Sequence, residues 1–318
     1  MPEIVALGEV LVDFTHESHG DIVTYRRNAG GSPANVAVAA ERLGVHSGFI
    51  GKVGGGIFGD YLYKTLSGYG VDTSGIVRDR DRLTALAFVR NLENGKREYT
   101  FYRENTADMF LRFSEVNKPL IENAEILHFG ALMLSCEPSR SAVANSIEFA
   151  KDKGKIVSYA LNYRPTLWKN VDEAAIAMRS VLSFVDILKV SEDELELISD
   201  SSNLLPSLSK ILKTGVKIVL VTQGAKGCII ATRNGIREVR SFKTPIVDTL
   251  GAGDSFLGAF LAKISQNAKN FDSLTMETLE ETAHYANAAG ALCSSKIGAI
   301  PAMPTNEEIL MTLTEVKS

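Results

Sequence analysis

Ser32-Pro33-Ala34-Asn35-Val36-Ala37-Val38-Ala39-Ala40-Glu41-Arg42-Leu43-Gly44 leads, across Val45-His46, into Ser47-Gly48-Phe49-Ile50-Gly51-Lys52-Val53. The first run carries a serine suited to an N-cap, a proline in the first turn, a buried stripe of Val36, Ala40 and Leu43, and a closing glycine. That combination predicts a helix. The second run is compact and apolar and predicts a strand. Working outward, residues 3–8 read as a strand before the pair and residues 57–69 as a helix after it, ending at Gly70. Further strands are expected at 125–129, 155–159, 186–190 and 217–222, with helical patterns between most of them. A long βα series predicts an α/β fold, with a mainly parallel central sheet flanked by helices on both faces.

Two segments break the series: residues 21–27, and residues 85–102, which alternate apolar and polar around Glu93-Asn94-Gly95. A half-polar hairpin cannot be a central parallel strand, so both are assigned to a small separate β-sheet over one edge of the core. The expected division is a core of residues 1–12, 31–83 and 106–318 and a lid of residues 13–30 and 84–105. A second hairpin around Arg233-Asn234-Gly235 should end the large sheet, followed by helices at 252–264, 275–295 and 306–316. Ligands in open α/β sheets sit at the carboxyl ends of the strands, where such a lid would cover them.

Composition narrows the function classes. Over 318 residues, 45% apolar and 23% charged content argue against disorder, and a net charge of −4 gives no basic footprint for nucleic acid or an anionic membrane. No signal peptide or span-length apolar run is present, so a cytoplasmic protein is expected. Cys136, Cys228 and Cys293 are scattered and outside any C-x-x-C pattern, which suggests neither a disulfide framework nor a zinc site.

The segment richest in chemistry is Val247-Asp248-Thr249-Leu250-Gly251-Ala252-Gly253-Asp254-Ser255-Phe256, running into an apolar helix. Glycines on both sides of Ala252 let unpaired N–H groups approach a phosphate at a helix N-terminus. A carboxylate beside such a nest is repulsive unless it has a task. Asp254 is either a helix cap or the base that takes a proton from an attacking hydroxyl during phosphoryl transfer.

This segment resembles the C-terminal signature of the ribokinase-like (PfkB) carbohydrate kinases, with Leu250 where a threonine is frequent. Gly30-Gly31-Ser32-Pro33-Ala34-Asn35-Val36-Ala37, closing at Arg42-Leu43-Gly44, is similar to the family's other signature, and the resemblance covers essentially the whole chain. It implies an ATP-dependent sugar kinase with Asp254 as catalytic base and the amides of Gly251, Ala252 and Gly253 as an anion hole. It further implies that Asp13, Gly30, Gly31 and Asn35 bind sugar hydroxyls. Within the family, the stretches Phe101–Met109 and Ser158–Trp168 resemble fructokinases, which implies Arg103 and Asn105 at the sugar and Arg164 at a phosphate. Lys189-Val190-Ser191-Glu192-Asp193-Glu194 resembles the Asn-x-x-Glu element, with Ser191 in place of Asn, and implies Glu194 as a ligand of Mg2+ through water. Thr222-Gln223-Gly224-Ala225-Lys226-Gly227 resembles the nucleotide-binding turn. The expected ATP contacts are thus Lys189, Thr222, Gly224, Gly227, Gly251, Gly253 and Asn287. Asp248, with carbonyls near residues 296–299, matches a region where many members hold K+. The implied partners are a small sugar and ATP, with a homodimer expected through the lid edges.

Two departures stand out: Ala160 where fructokinases commonly have Asp, which bears on the network orienting Asn162 and Arg164, and a loop at Gly54-Gly55-Gly56 without the usual acids. That loop, Gly54-Gly55-Gly56-Ile57-Phe58-Gly59, also fits Gly-x-Gly-x-x-Gly with Asp72 downstream, the spacing of an NAD-dependent dehydrogenase. Asp72 is expected in a turn, however, and not at the end of a strand. A kinase for 2-keto-3-deoxygluconate or ribose is also compatible with the sequence. So is a non-catalytic sugar-binding protein, although it should have lost the base or the anion hole.

Overall fold

The computed structural model describes residues 1–19, 22–91 and 97–315. The strands are β1 (Ile4–Leu7), β2 (Leu11–His19), β3 (Ile22–Gly30), β4 (Ser47–Gly54), β5 (Asp72–Asp79), β6 (Leu86–Asn91), β7 (Arg97–Tyr102), β8 (Ile126–Gly130), β9 (Ile156–Ala160), β10 (Ile187–Ser191), β11 (Ile218–Thr222), β12 (Gly227–Thr232) and β13 (Gly235–Arg240). The helices are α1 (Ser32–Arg42), α2 (Ile57–Gly68), α3 (Lys118–Asn123), α4 (Ser139–Asp152), α5 (Val171–Ser180), α6 (Glu192–Ser199), α7 (Leu204–Leu212), α8 (Ala252–Ser265), α9 (Met276–Ser294) and α10 (Asn306–Glu315).

Nine strands form one sheet in the order β13-β12-β11-β10-β9-β8-β1-β4-β5, parallel except for the β11-β12-β13 end. Strand alternation decides which side chains face which helices. Ile4, Ile126, Ile156, Ile187 and Ile218 point to one side and pack with Phe256, Leu257, Phe260 and Leu261 of α8 and with Ala283 and Ala286 of α9. Val5, Leu127, Val157, Leu188 and Val219, each the next residue along, point to the other side and meet Ile147 of α4, Met178 of α5, Leu195 of α6 and Leu208 of α7. Each such buried Ile, Leu or Phe contributes about 1.5–3 kcal/mol by leaving water. The predominantly apolar runs of these strands therefore reflect burial on both faces.

A second, four-stranded sheet in the order β3-β2-β6-β7 is the lid. It starts at Leu11, two residues before the expected boundary, and β3 exposes Ile22, Val23 and Tyr25 at its edge. The turn Glu93-Asn94-Gly95, the first residue of the expected 21–27 segment and Val316 lie outside the described residues.

Three local expectations are corrected. Residues 72–75 do not form a turn, because Asp72 opens β5, which pairs in parallel with β4. Asp72 thus lies at the amino edge of the sheet, opposite the carboxyl edge where a nucleotide ribose would be held, and the dehydrogenase reading fails on geometry. Ser32 is not the cap of α1; Gly31 occupies that position and Ser32 is the first helical residue. Asp254 is not a cap either. Gly251 caps α8 in left-handed backbone with φ 76, which a glycine adopts without strain, and Asp254 is the third residue of the helix.

Candidate active site

β1 lies between β4 and β8, so chain connections leave it in opposite directions and a crevice opens at its carboxyl end. A cleft of about 770 Å³ occupies that position, lined from the core by Glu9, Asn35, Asn162, Lys189 and Asp254 and from the lid by Asp13, Tyr99 and Phe101.

At its floor, three side chains converge on one carboxylate. Ser32 Oγ donates to Asp254 Oδ1 at 2.7 Å, Asn35 Nδ2 to Oδ2 at 2.8 Å and Asn162 Nδ2 to Oδ1 at 3.2 Å. Asn162 also donates to Ser32 Oγ, and its own Oδ1 lies 3.4 Å from Lys189 Nζ. The buried Lys189 ammonium is close to the glycine nest, since a Cβ placed on Gly253 would lie 3.4 Å from Nζ. The N–H groups of Gly251 and Gly253 have no backbone acceptor among the described residues, whereas Ala252 N–H is used by Thr249 O at 3.3 Å. Two of the three expected amides are therefore open to an anion and the third belongs to the loop. Local positive potential comes from the helix N-terminus and Lys189, not from net charge.

Why these elements meet is a matter of packing. A Cβ on Gly258, one turn beyond Asp254, would lie 2.4 Å from Ala39 Cβ and 3.0 Å from Val36 O. Only a bare backbone lets α8 press onto α1 closely enough for Ser32 and Asn35 to reach Asp254. Ser32 is free to do so because its N–H is satisfied by Glu9 Oε1 at 3.1 Å, which takes over the capping task the sequence suggested for the serine itself.

The sugar candidates divide. Asp13 and Asn35 are buried and line the cleft, and Asn35 Oδ1 has no hydrogen-bond partner among the described residues. A Cβ on Gly30 would lie 2.0 Å from Asp13 Oδ2, so that glycine makes room for the carboxylate while Gly31 lines the cleft itself. Arg103 and Asn105 do not line it. Arg103 is buried against Asp108 at 2.5 Å and Ser135 at 3.0 Å, and Asn105 is an exposed residue in left-handed backbone. Arg164 does line the cleft, with its guanidinium 5.3 Å from the ring of Tyr99 on the lid.

The nucleotide candidates divide in the same way. Gly251, Gly253 and Lys189 line the cleft; Thr222, Gly224, Gly227 and Asn287 lie outside its lining. Thr222 Oγ1 donates to Val190 O, and Asn287 Nδ2 donates to the carbonyls of Val239 and Arg240 at the end of β13. Gly227 is small because a Cβ there would strike Val239 O at 2.1 Å across the β12–β13 pair. Glu194 accepts the N–H of Tyr163 at 2.7 Å and of Ser191 at 2.8 Å, so it ties the loop bearing Arg164 to the start of α6 and retains only second lone pairs for a metal-bound water. Asp248 accepts from Leu250 N–H and Gly298 N–H, both at 2.9 Å, and joins the two loops.

Sequence reasoning missed Glu9 and the role of Ser32. Neither has a signal in spacing, since each depends on contacts between distant elements. Glu9 is buried, and burial pushes its carboxyl up to about 7 against the smaller opposing effects of backbone N–H groups and Arg103. Ala160 leaves no gap in the network. It is fully buried on the α8 side of the sheet, and Asn162 is oriented instead by Lys189, Ser32 and Asp254.

Residues 1–306 match the family described as pfkB family carbohydrate kinase. The chain belongs to that family. Among curated proteins, Fructokinase-1 of Oryza sativa subsp. japonica is 40% identical over 312 residues, covering 96% of each chain. Among solved structures, a fructokinase from Xylella fastidiosa with bound ATP aligns with a TM-score of 0.93 at 31% identity, covering 100% of both chains. A fructokinase from Vibrio cholerae O395 with fructose, ADP and calcium bound aligns with a TM-score of 0.90 at 32% identity, covering 98% of this chain and 99% of that one. The pfkB assignment accounts for the two-sheet architecture and makes the protein a carbohydrate kinase, a phosphotransferase with an alcohol acceptor. Among the described residues, no helix is long and apolar enough to cross a membrane.

Proposed function

We propose that the protein phosphorylates D-fructose from ATP, giving D-fructose 6-phosphate and ADP in the cytoplasm. The observation that carries this reading is the placement of Asp254, oriented by three donors beside two open amides and a buried lysine at the carboxyl edge of the sheet. The names of its relatives favour fructose over ribose or 2-keto-3-deoxygluconate.

In this mechanism the sugar lies under the lid against Asp13, Gly31 and Asn35, whose side-chain oxygens and open backbone suit hydroxyl groups. Its primary hydroxyl meets Asp254, which takes the proton as the oxygen bonds to the γ-phosphorus. The bond from that phosphorus to the β-bridging oxygen breaks, and ADP departs. Charge on the transferring group is met by Gly251 N–H, Gly253 N–H and Lys189, fixed donors that need no reorganisation. Arg164 adds a planar fork of donors if it leaves Tyr99 as phosphate enters. Mg2+, arriving on ATP, would neutralise the phosphate oxygens, and Glu194 could hold one of its waters. Among the described residues no group of three or more acidic, histidine or cysteine side chains is placed to hold a metal ion. Asp248 is already engaged by two N–H groups, and K+ has no step in this scheme.

Asp254→Asn keeps the hydrogen-bonding shape and removes the base. With ADP release measured across a sugar panel, kcat should fall by roughly 10²–10⁴ while ATP still binds. Near-normal turnover of the folded variant would remove Asp254 from the mechanism, and preferred turnover of another sugar would reassign the substrate.

A further inference from the structure

The chain crosses between core and lid next to two buried groups of opposite charge, and each has an atom without a partner. Glu9 lies between β1 and β2, where the chain enters the lid; it is 5% exposed, and its Oε2 has no hydrogen-bond partner among the described residues. Arg103 follows β7, where the chain returns; it is 6% exposed, and its Nη2 has no hydrogen-bond partner among the described residues. The rest of each side chain is firmly held. Glu9 Oε1 takes the Ser32 N–H, while Arg103 Nε and Nη1 are bound to Asp108 and Ser135.

Leaving a buried charged group short of a partner is costly, and two such groups of complementary type at one hinge are unexpected unless another state of the hinge joins them. Each already acts on the other's charge in this state. Asp108 acts on both.

We propose that Glu9 and Arg103 form a buried ion pair, Nη2 donating to Oε2, when the lid closes over the sugar, and that this pair locks in place the Glu9 side chain that already holds the N-terminus of α1. The inference rests on the kinase reading and extends it to the hinge. Glu9 is a positioning residue here: it holds Ser32 through the helix N–H, and Ser32 holds the base. Closure would then stiffen a chain of contacts along Arg103, Glu9, Ser32 and Asp254, whose last two links are in place before the pair forms. This would also explain why Arg103, although bound to its core partners, has one donor left over.

The test compares wild type with Glu9→Gln, Arg103→Lys and the double variant. Gln retains the oxygen that caps Ser32, and Lys retains the charge facing Asp108, so both should fold. Two readouts are needed: steady-state constants for fructose and for ATP, and amide hydrogen exchange of residues 97–103 with and without saturating fructose. Each single variant should raise KM for fructose and lower kcat, together about tenfold or more in kcat/KM, with KM for ATP unchanged. Each should lose the sugar-induced protection seen in wild type, and the double variant should be no worse than the worse single variant. Additive losses in the double variant, or full protection in Glu9→Gln, would overturn the pair. Loss of fructose affinity in Arg103→Lys alone would instead make Arg103 a direct sugar contact. Were wild type itself to phosphorylate no sugar, the kinase reading would fail, and with it the pair.

Discussion

Asn162 adopts left-handed backbone with φ 45, a conformation that asparagine tolerates better than other residues with a Cβ. Its side chain faces Lys189, Ser32 and Asp254 together. Hydrogen bonds to charged groups are worth about 1.5–3 kcal/mol, so Asn162→Ala should lower kcat by roughly 10–100-fold. Asn162→Gly relieves the backbone strain; it should recover thermal stability relative to Ala without recovering rate. Equal kcat values for wild type and either variant would show that the bridge does nothing for the base. At this scale the sequence is informative where chemistry is local. Asp254 and the nest at Gly251 and Gly253 are visible in it because helix start and phosphate cradle are contiguous. Glu9 is not, because its importance comes from burial beneath a helix that begins more than twenty residues later.

The contact between α1 and α8 depends on the missing side chain at Gly258. Gly258→Val would push the helices apart, costing about 1–3 kcal/mol in stability through overpacking. Ser32 and Asn35 would be drawn off Asp254 at the same time. Activity should therefore fall by more than the loss of folded protein explains, measured as kcat per native molecule well below the melting transition. A variant that melts earlier but turns over normally would show that the close approach serves packing alone. Elements are legible where period and burial agree: β1, β4 and β8 to β11 are mainly apolar runs buried on both faces. β5 reads as a turn because Asp72-Thr73-Ser74-Gly75 is polar and glycine-containing, a composition suited to an edge strand paired on one side only. The cap of α1 is misplaced by one residue for a related reason, since the group satisfying the Ser32 N–H comes from beyond the end of β1 and not from the neighbouring side chain.

For the molecule as a whole, two buried titratable groups make opposing contributions to acid stability. Glu9 is raised by burial from 4.5 to about 7, with Arg103 and Asp108 as the charged groups acting on it, so its folded form holds a proton that the unfolded chain releases above 4.5. Its contribution to stability is lost as pH rises from 4.5 to about 7. His128, buried beside Ser158 and facing Lys189, is lowered from 6.5 to about 3 chiefly by burial. The unfolded chain takes up a proton there below 6.5 while the native state stays neutral, so stability falls as pH falls through that range. Between 4.5 and 6.5 the slopes are each about 1.4 kcal/mol per pH unit and cancel. Glu9→Gln should remove one of them. Its unfolding free energy by denaturant titration should then rise with pH across that interval and exceed wild type by a few kcal/mol at about pH 8. A flat profile in that variant would contradict the reading of His128. The overall architecture is legible as a βα series with an interrupting hairpin, because the separation of apolar runs from half-polar ones survives without knowledge of any contact. How the lid seats its residues is not legible, since Arg103 and Arg164 are both arginines next to apolar segments and only packing separates the buried one from the one lining the cleft.

Ser32 and Asp254 are separated by 222 positions along the chain and 2.7 Å in space. With Asp254 as the base, a nascent polypeptide should consume no ATP until its last third has left the ribosome and docked, and cleavage that frees either end should silence the enzyme even if the remainder stays compact. Turnover in this protein doubles as a gauge of completed folding, sensitive to a pairing between elements far apart along the chain.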